Sequence, residues 1–569
     1  MRIQILWMFL MLTTVSIGNT QSIKRYDVVI AELFPDPSPA INLPDAEFIE
    51  LKNRTSQVID LFHWKITDGT TSATINEHIL LMPDSMLIVC GTSGIALYRV
   101  WGTTVAVSNF PSLNNDADAI VLLGKNGETV HAVSYEKSWF RNDLKANGGW
   151  SLEMIDPDNP CGMASNWTAS THSAGGTPGR TNSQHGINRD ETMPVLLRAY
   201  VWDSVTIVAV FDEILDSLSA SNRLQYSIDS YRSAEIEANP IAPFFNEVFL
   251  KLPVPMLANK MYELVVKGVR DCSNNEIGKL NTTNIGIPIA AEPGSIVINE
   301  LLFNPPAEGC DYIELYNKGP AIVDLSTLFV GNRLITGSIS NIEPVSVANW
   351  LLFAGEYIVI GQDPGWIAKS FSIQYANRML RLTAMPSMPD DKGTIVLMNE
   401  QGKLIDELTY DEKWHFPLLH DRNAVALERI NYTHPTQLAA NWTSAASTVG
   451  FGTPGYQNSQ LATSGLSNAN LDASPKIFSP DNDGRDDFVL ITLISDTPGS
   501  VATITIFDAT GRTTRIIAKN ATLSTKNTFR WDGFADNLKR ATRGSYIVFA
   551  EIFDLTGKVR KFKAVVVVW

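Results

Sequence analysis

The chain of 569 residues has few cysteines, few charges and no long apolar run beyond its first twenty residues. Four cysteines are too few for a disulfide-built scaffold, and the eight histidines show no HxxxH pair and no CxxC partner that would hold a metal. Charged residues make up 18% of the chain, and 45 Lys+Arg stand against 60 Asp+Glu, a formal charge of −15. That balance repels a phosphate backbone, so nucleic acid is not expected as a partner. GxSxG, Walker A, HExxH and SxxK contexts do not stand out. Helical periodicity sustained over three turns is equally hard to find. What remains is 44% hydrophobic residues spread through short segments, enough for several independent cores.

The N-terminal apolar stretch from Ile3 to Ile17, after Met1 and Arg2, reads as a signal peptide over residues 1–18. Cleavage is expected after Gly18, or next after Thr20, and no transmembrane helix is expected once it is removed. Export places Cys90, Cys161, Cys272 and Cys310 in an oxidising compartment. Three pairings are open, of which Cys90 with Cys161, inside one domain, is the least demanding.

Internal repetition sets the architecture. Ile30-Ala-Glu-Leu aligns with Ile298-Asn-Glu-Leu, and Phe48-Ile-Glu-Leu-Lys-Asn53 with Tyr312-Ile-Glu-Leu-Tyr-Asn317. Asn166-Trp-Thr168 aligns with Asn441-Trp-Thr443, and Gly176-Thr-Pro-Gly179 with Gly452-Thr-Pro-Gly455. Two copies therefore occupy about 21–186 and 291–461. Their apolar residues alternate in short β-branched runs bounded by Asn, Asp, Gly and Pro, the pattern of strands and turns. The expected class is all-β: tandem immunoglobulin-like β-sandwiches in a multidomain rod. Trp167 and Trp442, each at the same place in its repeat, are expected in the cores rather than in glycosylation sequons.

These repeated motifs resemble the lamin-tail domain, an immunoglobulin-type sandwich of nuclear lamins and many exported bacterial proteins. The second copy departs at Leu328, where the first has Trp64. Residues 187–290, with Val205-Thr-Ile-Val-Ala-Val-Phe-Asp-Glu213 and Val269-Arg-Asp271, are similar to bacterial Ig-like domains of surface-layer proteins and adhesins. A Ser/Asn-rich linker is expected at 462–474. Beyond it, the motifs at Phe478–Asp487, Ile506–Arg512, Trp531–Gly533 and Arg543–Tyr546 resemble the gliding-motility-associated C-terminal domain over 475–569. This resemblance implies a sorting or anchoring domain read by a type IX secretion system. From Pro475 onward the chain holds 14 Lys+Arg and 10 Asp+Glu, a basic module on an acidic chain.

Two carboxylate groups invite chemistry. Asp481, Asp483, Asp486 and Asp487 gather around Gly484, the oxygen-rich turn a Ca²⁺ ion takes, although it is not an EF-hand loop. A solvated Asx turn is the alternative, and no cofactor other than calcium is expected. Glu32 and Glu50 recur as Glu300 and Glu314 and could suggest acid and base work. Inside the strands of a repeated module, hydrogen-bonded framework carboxylates are the expected role. His415 and His420, beside Trp414 and Phe416, are expected to pack or to face solvent. No catalytic residue is assigned. The expected function is non-catalytic binding, adhesion or spacing by a secreted, cell-surface protein. Its partners would be an extracellular polysaccharide or protein ligand and the secretion machinery. A secreted hydrolase is the alternative, and its site would be sought first at Asp143–Trp150 and Asn159–Gly162; a purely structural envelope component is the third reading.

Overall fold

The computed structural model describes residues 23–419, 421–462, 469–554 and 556–569. The signal segment, His420 and residues 463–468 of the linker lie outside the described residues. The chain divides into two compact units, one built mainly from residues up to 196 with 208–251 and 265–282, the other mainly from 283–569 with 197–207 and 252–264.

In the first unit, alternation of apolar and polar residues produces the two faces of a sandwich. A six-stranded sheet runs in the order Trp167–Ala169, Leu152–Met154, Val28–Phe34, Phe48–Asn53, Met86–Gly91, Thr104–Val107. A four-stranded sheet runs Thr129–Glu136, Ala117–Leu123, Lys65–Thr67, Ser72–Thr74. Trp64, Trp139, Tyr135 and Trp167 fill the core between them. Val28–Phe34 is buried at every position because its outward face is covered as well. The edge strand Thr104–Val107 is parallel to Met86–Gly91, so the sheet is mixed. The short helix Ile95–Tyr98 supplies the crossover that a parallel pair requires.

The second unit repeats this plan in the order Met379–Arg381, Tyr357–Gly361, Tyr312–Asn317, Ile296–Leu302, Leu427–Arg429, Trp442–Ser444. Its facing sheet is Ile339–Pro344, Leu328–Arg333, Lys392–Asn399, Leu404–Asp411. Leu328 is fully buried where the first copy has Trp64, and Trp350 packs against the same core. The register repeats to the residue: a bulge lies between Ile30 and Glu32 and again between Ile298 and Glu300.

The C-terminal module pairs a three-stranded with a five-stranded sheet around Trp531, Tyr546 and Phe478. Its first strand, Asn470–Ser474, pairs with Val489–Ile494. That segment was expected in the linker because it continues a Ser/Asn-rich stretch, but its Leu471 and Ala473 alternate with polar residues and face inward. Residues 187–290 are also built of strands, among them Glu237–Pro240 paired with Glu247–Lys251.

Cys161 is joined to Cys272, with Cα atoms 6.4 Å apart, and Cys90 is free and buried. The expected Cys90–Cys161 pairing fails because Cys90 is locked inside Met86–Gly91, its thiol directed at Val105 O. The observed bond closes a separation of 111 residues within the first unit, and a loop of that length restricts the unfolded chain by about 4–5 kcal/mol in the chain-entropy account.

Candidate functional sites

The repeated glutamates stand side by side across neighbouring strands. Glu32 pairs in register with both Glu50 and Glu153, and Glu300 with both Glu314 and Glu428. All six are completely buried. The third member of each triad, Glu153 and Glu428, was not singled out from the sequence, although Leu152-Glu153 and Leu427-Glu428 repeat at matched positions ahead of each Asn-Trp-Thr.

The triads hold the Gly-Thr-Pro-Gly segment against the sheet. Thr177 N donates to Glu32 at 2.8 Å, Thr177 Oγ1 to Glu153 at 2.8 Å, and Gly179 N to Glu50. In the second copy Thr453 N donates to Glu300 at 3.0 Å, Thr453 Oγ1 lies 2.8 Å from Glu428, and Gly455 N donates to Glu314 at 2.6 Å. Ser183 and Gln184, and their counterparts Ser459 and Gln460, complete Glu153 and Glu428 in the same way. Glycine is required at 176 because a Cβ there would stand 2.7–2.8 Å from Ser151 Oγ, Glu32 Oε1 and Leu43. At Gly179, φ is +75° and a Cβ would strike Trp101 O at 2.5 Å.

Burial makes the carboxyls of Glu32, Glu50, Glu300, Glu314 and Glu428 resist ionisation. Burial and the neighbouring Glu153 push Glu32 up to about 8, and burial with Glu300 pushes Glu428 up to about 8. Glu50 and Glu314 are also raised well above the usual range, chiefly by burial. Raised carboxyls suit a general acid, but here each is spent on backbone and hydroxyl donors beneath the covering segment.

The copies solve one problem differently. Ile30 N donates to His131 Nδ1 at 2.9 Å, and the other ring nitrogen lies 2.9 Å from Pro160 O, which fixes a neutral tautomer. Burial lowers His131 to about 4. In the second copy Ile298 N donates to Asp406, which pairs with buried Arg429.

The aspartate loop brings carboxylate oxygens of Asp481, Asp483 and Asp487 within 4.8 Å of one another, without Asp486. Asp487 accepts Asn482 N at 2.6 Å and Gly484 N at 2.9 Å, and Asp483 accepts Arg485 N at 2.8 Å, so the carboxylates also close their own turns. A second convergence, missed in the sequence because its members lie far apart, joins Asp190, Glu213 and Asp271. Burial, then Asp271, Asp190 and Asp212, raise Glu213 to about 8. Both oxygens of Asp271 accept from Asn275.

At the first places considered for a hydrolase, Lys145 Nζ donates to Ser170 O and lies 4.4 Å from the Trp150 ring centroid, and Asn159 Nδ2 donates to Asn188 O. Asn166 and Asn441 are buried and hold the loops at Asp156 and Asn431, while Trp167 and Trp442 occupy the cores as expected. His415 is 2% exposed, packs beside Phe303 and lies 2.8 Å from Ser444 Oγ.

Two of the concavities among the described residues bear on binding. One of about 550 Å³ is lined by Trp414, His415, Phe416, Trp442 and Pro498. The other, about 290 Å³, opens on the first copy of the repeat beside Ala31, Lys52, Arg54, Met86, Asn182 and His185. Lys52 pairs with Asp84 at 2.6 Å and Arg54 with Asp158 at 3.2 Å.

Comparison with known proteins agrees with the repeat. Residues 21–137 and 289–412 match the family model of the Lamin Tail Domain, one match in each copy. Each copy of the repeat is therefore similar to the lamin-tail domain, within an all-β, sandwich-based architecture. No curated protein matches it. Among solved structures, the N-terminal part of the bacterial S-layer protein SbsC is 11% identical, with 39% of this chain and 44% of that one covered and a TM-score of 0.16. SGBP-B of Bacteroides ovatus, in complex with a mixed-linkage heptasaccharide, is 11% identical over 67% of this chain and 68% of its own, with a TM-score of 0.14. Latent PorU from Porphyromonas gingivalis is 8% identical over 82% and 41%, with a TM-score of 0.15. This chain spans less than half of the SbsC structure it matches. Likenesses of this size carry no argument about activity. No helix among the described residues is long and apolar enough to cross a membrane.

Proposed function

We propose that this protein is an exported, non-catalytic surface protein in which lamin-tail and Ig-like modules bind or space an extracellular ligand and the C-terminal module serves sorting or anchoring. The observation that carries this reading is the engagement of the repeated carboxylates. The groups best suited to acid and base chemistry are fully buried in both copies and bonded to the covering Gly-Thr-Pro-Gly segment. A substrate would have to displace the segment that completes the module. The Cys161–Cys272 bond supports export, since structural disulfides persist in oxidising compartments. The basic C-terminal module, with its motif resemblance, supports a role separate from that of the acidic modules before it.

The test is terminal-peptide and intact-mass spectrometry on protein recovered separately from cytoplasm, periplasm, outer membrane and medium of the native host. The expected result is a chain outside the outer membrane that begins near Asn19 or Gln21 and lacks the sequence from about Pro475. A chain confined to the cytoplasm and still carrying Met1 would overturn export and the surface role with it.

A further inference from the structure

The two lamin-tail copies provide an internal control at the outer side of the bulge. In both, a framework asparagine donates its amide to the bulge carbonyl and to the neighbouring strand: Asn182 to Ala31 O and Met154 O, each at 2.8 Å, and Asn458 to Asn299 O and Arg429 O at 3.0 and 2.9 Å. The second copy then closes. Asn299 Nδ2 donates to Asn458 Oδ1 at 2.6 Å and to Glu314 at 2.7 Å, so both acceptors are satisfied. Above them Tyr316 stacks on Tyr432 at 4.1 Å and lies 4.6 Å from Tyr357, and the hydroxyls of Tyr357 and Tyr432 are 2.7 Å apart.

The first copy has a small or non-aromatic residue at each of these places. Ala31 stands at Asn299, Lys52 at Tyr316, Met86 at Tyr357 and Pro157 at Tyr432, as the strand registers and the matched loop require. The result is the 290 Å³ concavity. Asn182 is 8% exposed, its amide nitrogen is committed, and its Oδ1 has no hydrogen-bond partner. That oxygen faces the space the Asn299 amide takes in the other copy. Glu50 Oε1 and Arg54 Nε are also buried without partners. Buried polar atoms left in this way cost free energy unless something else engages them.

We infer that this pocket is a saccharide-binding site present in the first lamin-tail copy alone, taking one neutral sugar ring of an extracellular glycan. The inference rests on the surface-binding reading above and deepens it. The lining offers an acceptor at Asn182 Oδ1 and donors at Arg54 and Lys52, with Met86 and Pro157 as an apolar floor. A ring hydroxyl donates and accepts at once, so vicinal hydroxyls can engage both kinds of group. An isolated anion fits less well, because Asp84 and Asp158 already stand on the two cations. Those acids are about 90% exposed, so their ion pairs are weak enough to open to a hydroxyl. The volume lies at the lower end of the range of roughly 300–1,000 Å³ for small-ligand sites, which suits one ring whose neighbours remain in solvent.

The test uses the full chain in affinity electrophoresis and calorimetry with laminarin, dextran, mannan and xyloglucan, and with polygalacturonate as the anionic probe. At least one neutral glycan is expected to bind. Ala31→Asn and, separately, Met86→Tyr, which copy the closed repeat, are expected to weaken that binding at least tenfold while melting at or above the wild-type temperature. If one variant fails to fold, the other decides. Glycan binding that both folded variants retain would overturn this site and leave the surface-binding reading standing. Binding of polygalacturonate alone would overturn the neutral-sugar assignment. No binding by any probe would overturn the inference, whereas the surface reading itself fails only in the localisation experiment.

Discussion

Ala31 and Asn299 occupy one bulge position in two copies of one module, and the amide present only in the second is one of four side-chain differences that separate its closed surface from the open one. Asn299 Nδ2 is the donor that satisfies both Glu314 and Asn458 Oδ1. Asn299→Ala therefore leaves two acceptors unpaired beneath the tyrosine cluster, where each stranded group costs about 1–3 kcal/mol. Chemical denaturation should show the second unit destabilised and the first unchanged. Equal stability of variant and wild type would mean that water already serves these acceptors. This position was not legible in the sequence. Alignment showed Ala31 opposite Asn299, but the importance of the difference depends on Asn182 and Asn458, about 150 residues further along the chain.

At the scale of elements, each Gly-Thr-Pro-Gly segment is held by a row of glutamates whose protonation the fold controls. Glu32 ionises near 4.5 when unfolded and near 8 when folded, and Glu428 behaves alike. Their stabilisation is complete below pH 4.5 and falls as pH rises, by about 1.4 kcal/mol per pH unit for each group, until the folded carboxyl ionises near 8. His131 acts in the opposite sense. Its lowered value of about 4 costs stability only as pH falls below 6.5, so the window from 6.5 to 8 isolates the glutamates. Glu32→Gln, which keeps an acceptor for Thr177, should flatten the loss of stability of the first unit across that window in pH-dependent denaturation. An unchanged slope would show that Glu32 is ionised in the folded protein. The strands, their bulk alternation and the core tryptophans were legible because each depends on neighbours within a few residues. The roles of Glu32, Glu50, Glu300 and Glu314 as framework groups followed from their strand positions. Their partners Glu153 and Glu428 escaped notice because short strands far along the chain carry them, and the Cys161–Cys272 bond because it joins segments 111 residues apart.

At the scale of the whole molecule, the second lamin-tail copy does more than precede the C-terminal module. The segment that closes its glutamate row continues into that module's docking surface. Gln460 N donates to Glu428, while its side chain, 1% exposed, donates to Leu523 O at 2.9 Å and accepts from Gly499 N at 2.8 Å. Ser447 N donates to Thr522 Oγ1 at 2.7 Å, Thr448 Oγ1 to Asn527 at 2.8 Å, and Thr525 N to Ser459 O at 3.0 Å. In the first copy the side chain of the corresponding Gln184 donates instead to Thr171 Oγ1 on the exposed surface. Separation returns these hydrogen bonds to water, and the second copy keeps its own core around Leu328, Tyr410 and Trp442, with no member from the C-terminal module, so that module can leave without unfolding its neighbour. Truncation after Ser474 should therefore preserve the melting transition of the second lamin-tail copy. Gln460→Ala in the full chain should strand Gly499 N and Leu523 O, loosen the docking and increase the rate of limited proteolysis within 462–474, with that same melting transition unchanged. If the truncated chain loses the transition, the C-terminal module is part of the lamin-tail core and cannot act as a removable signal; if Gln460→Ala leaves proteolysis unchanged, the junction is held by Ser447, Thr448 and Ser459 instead.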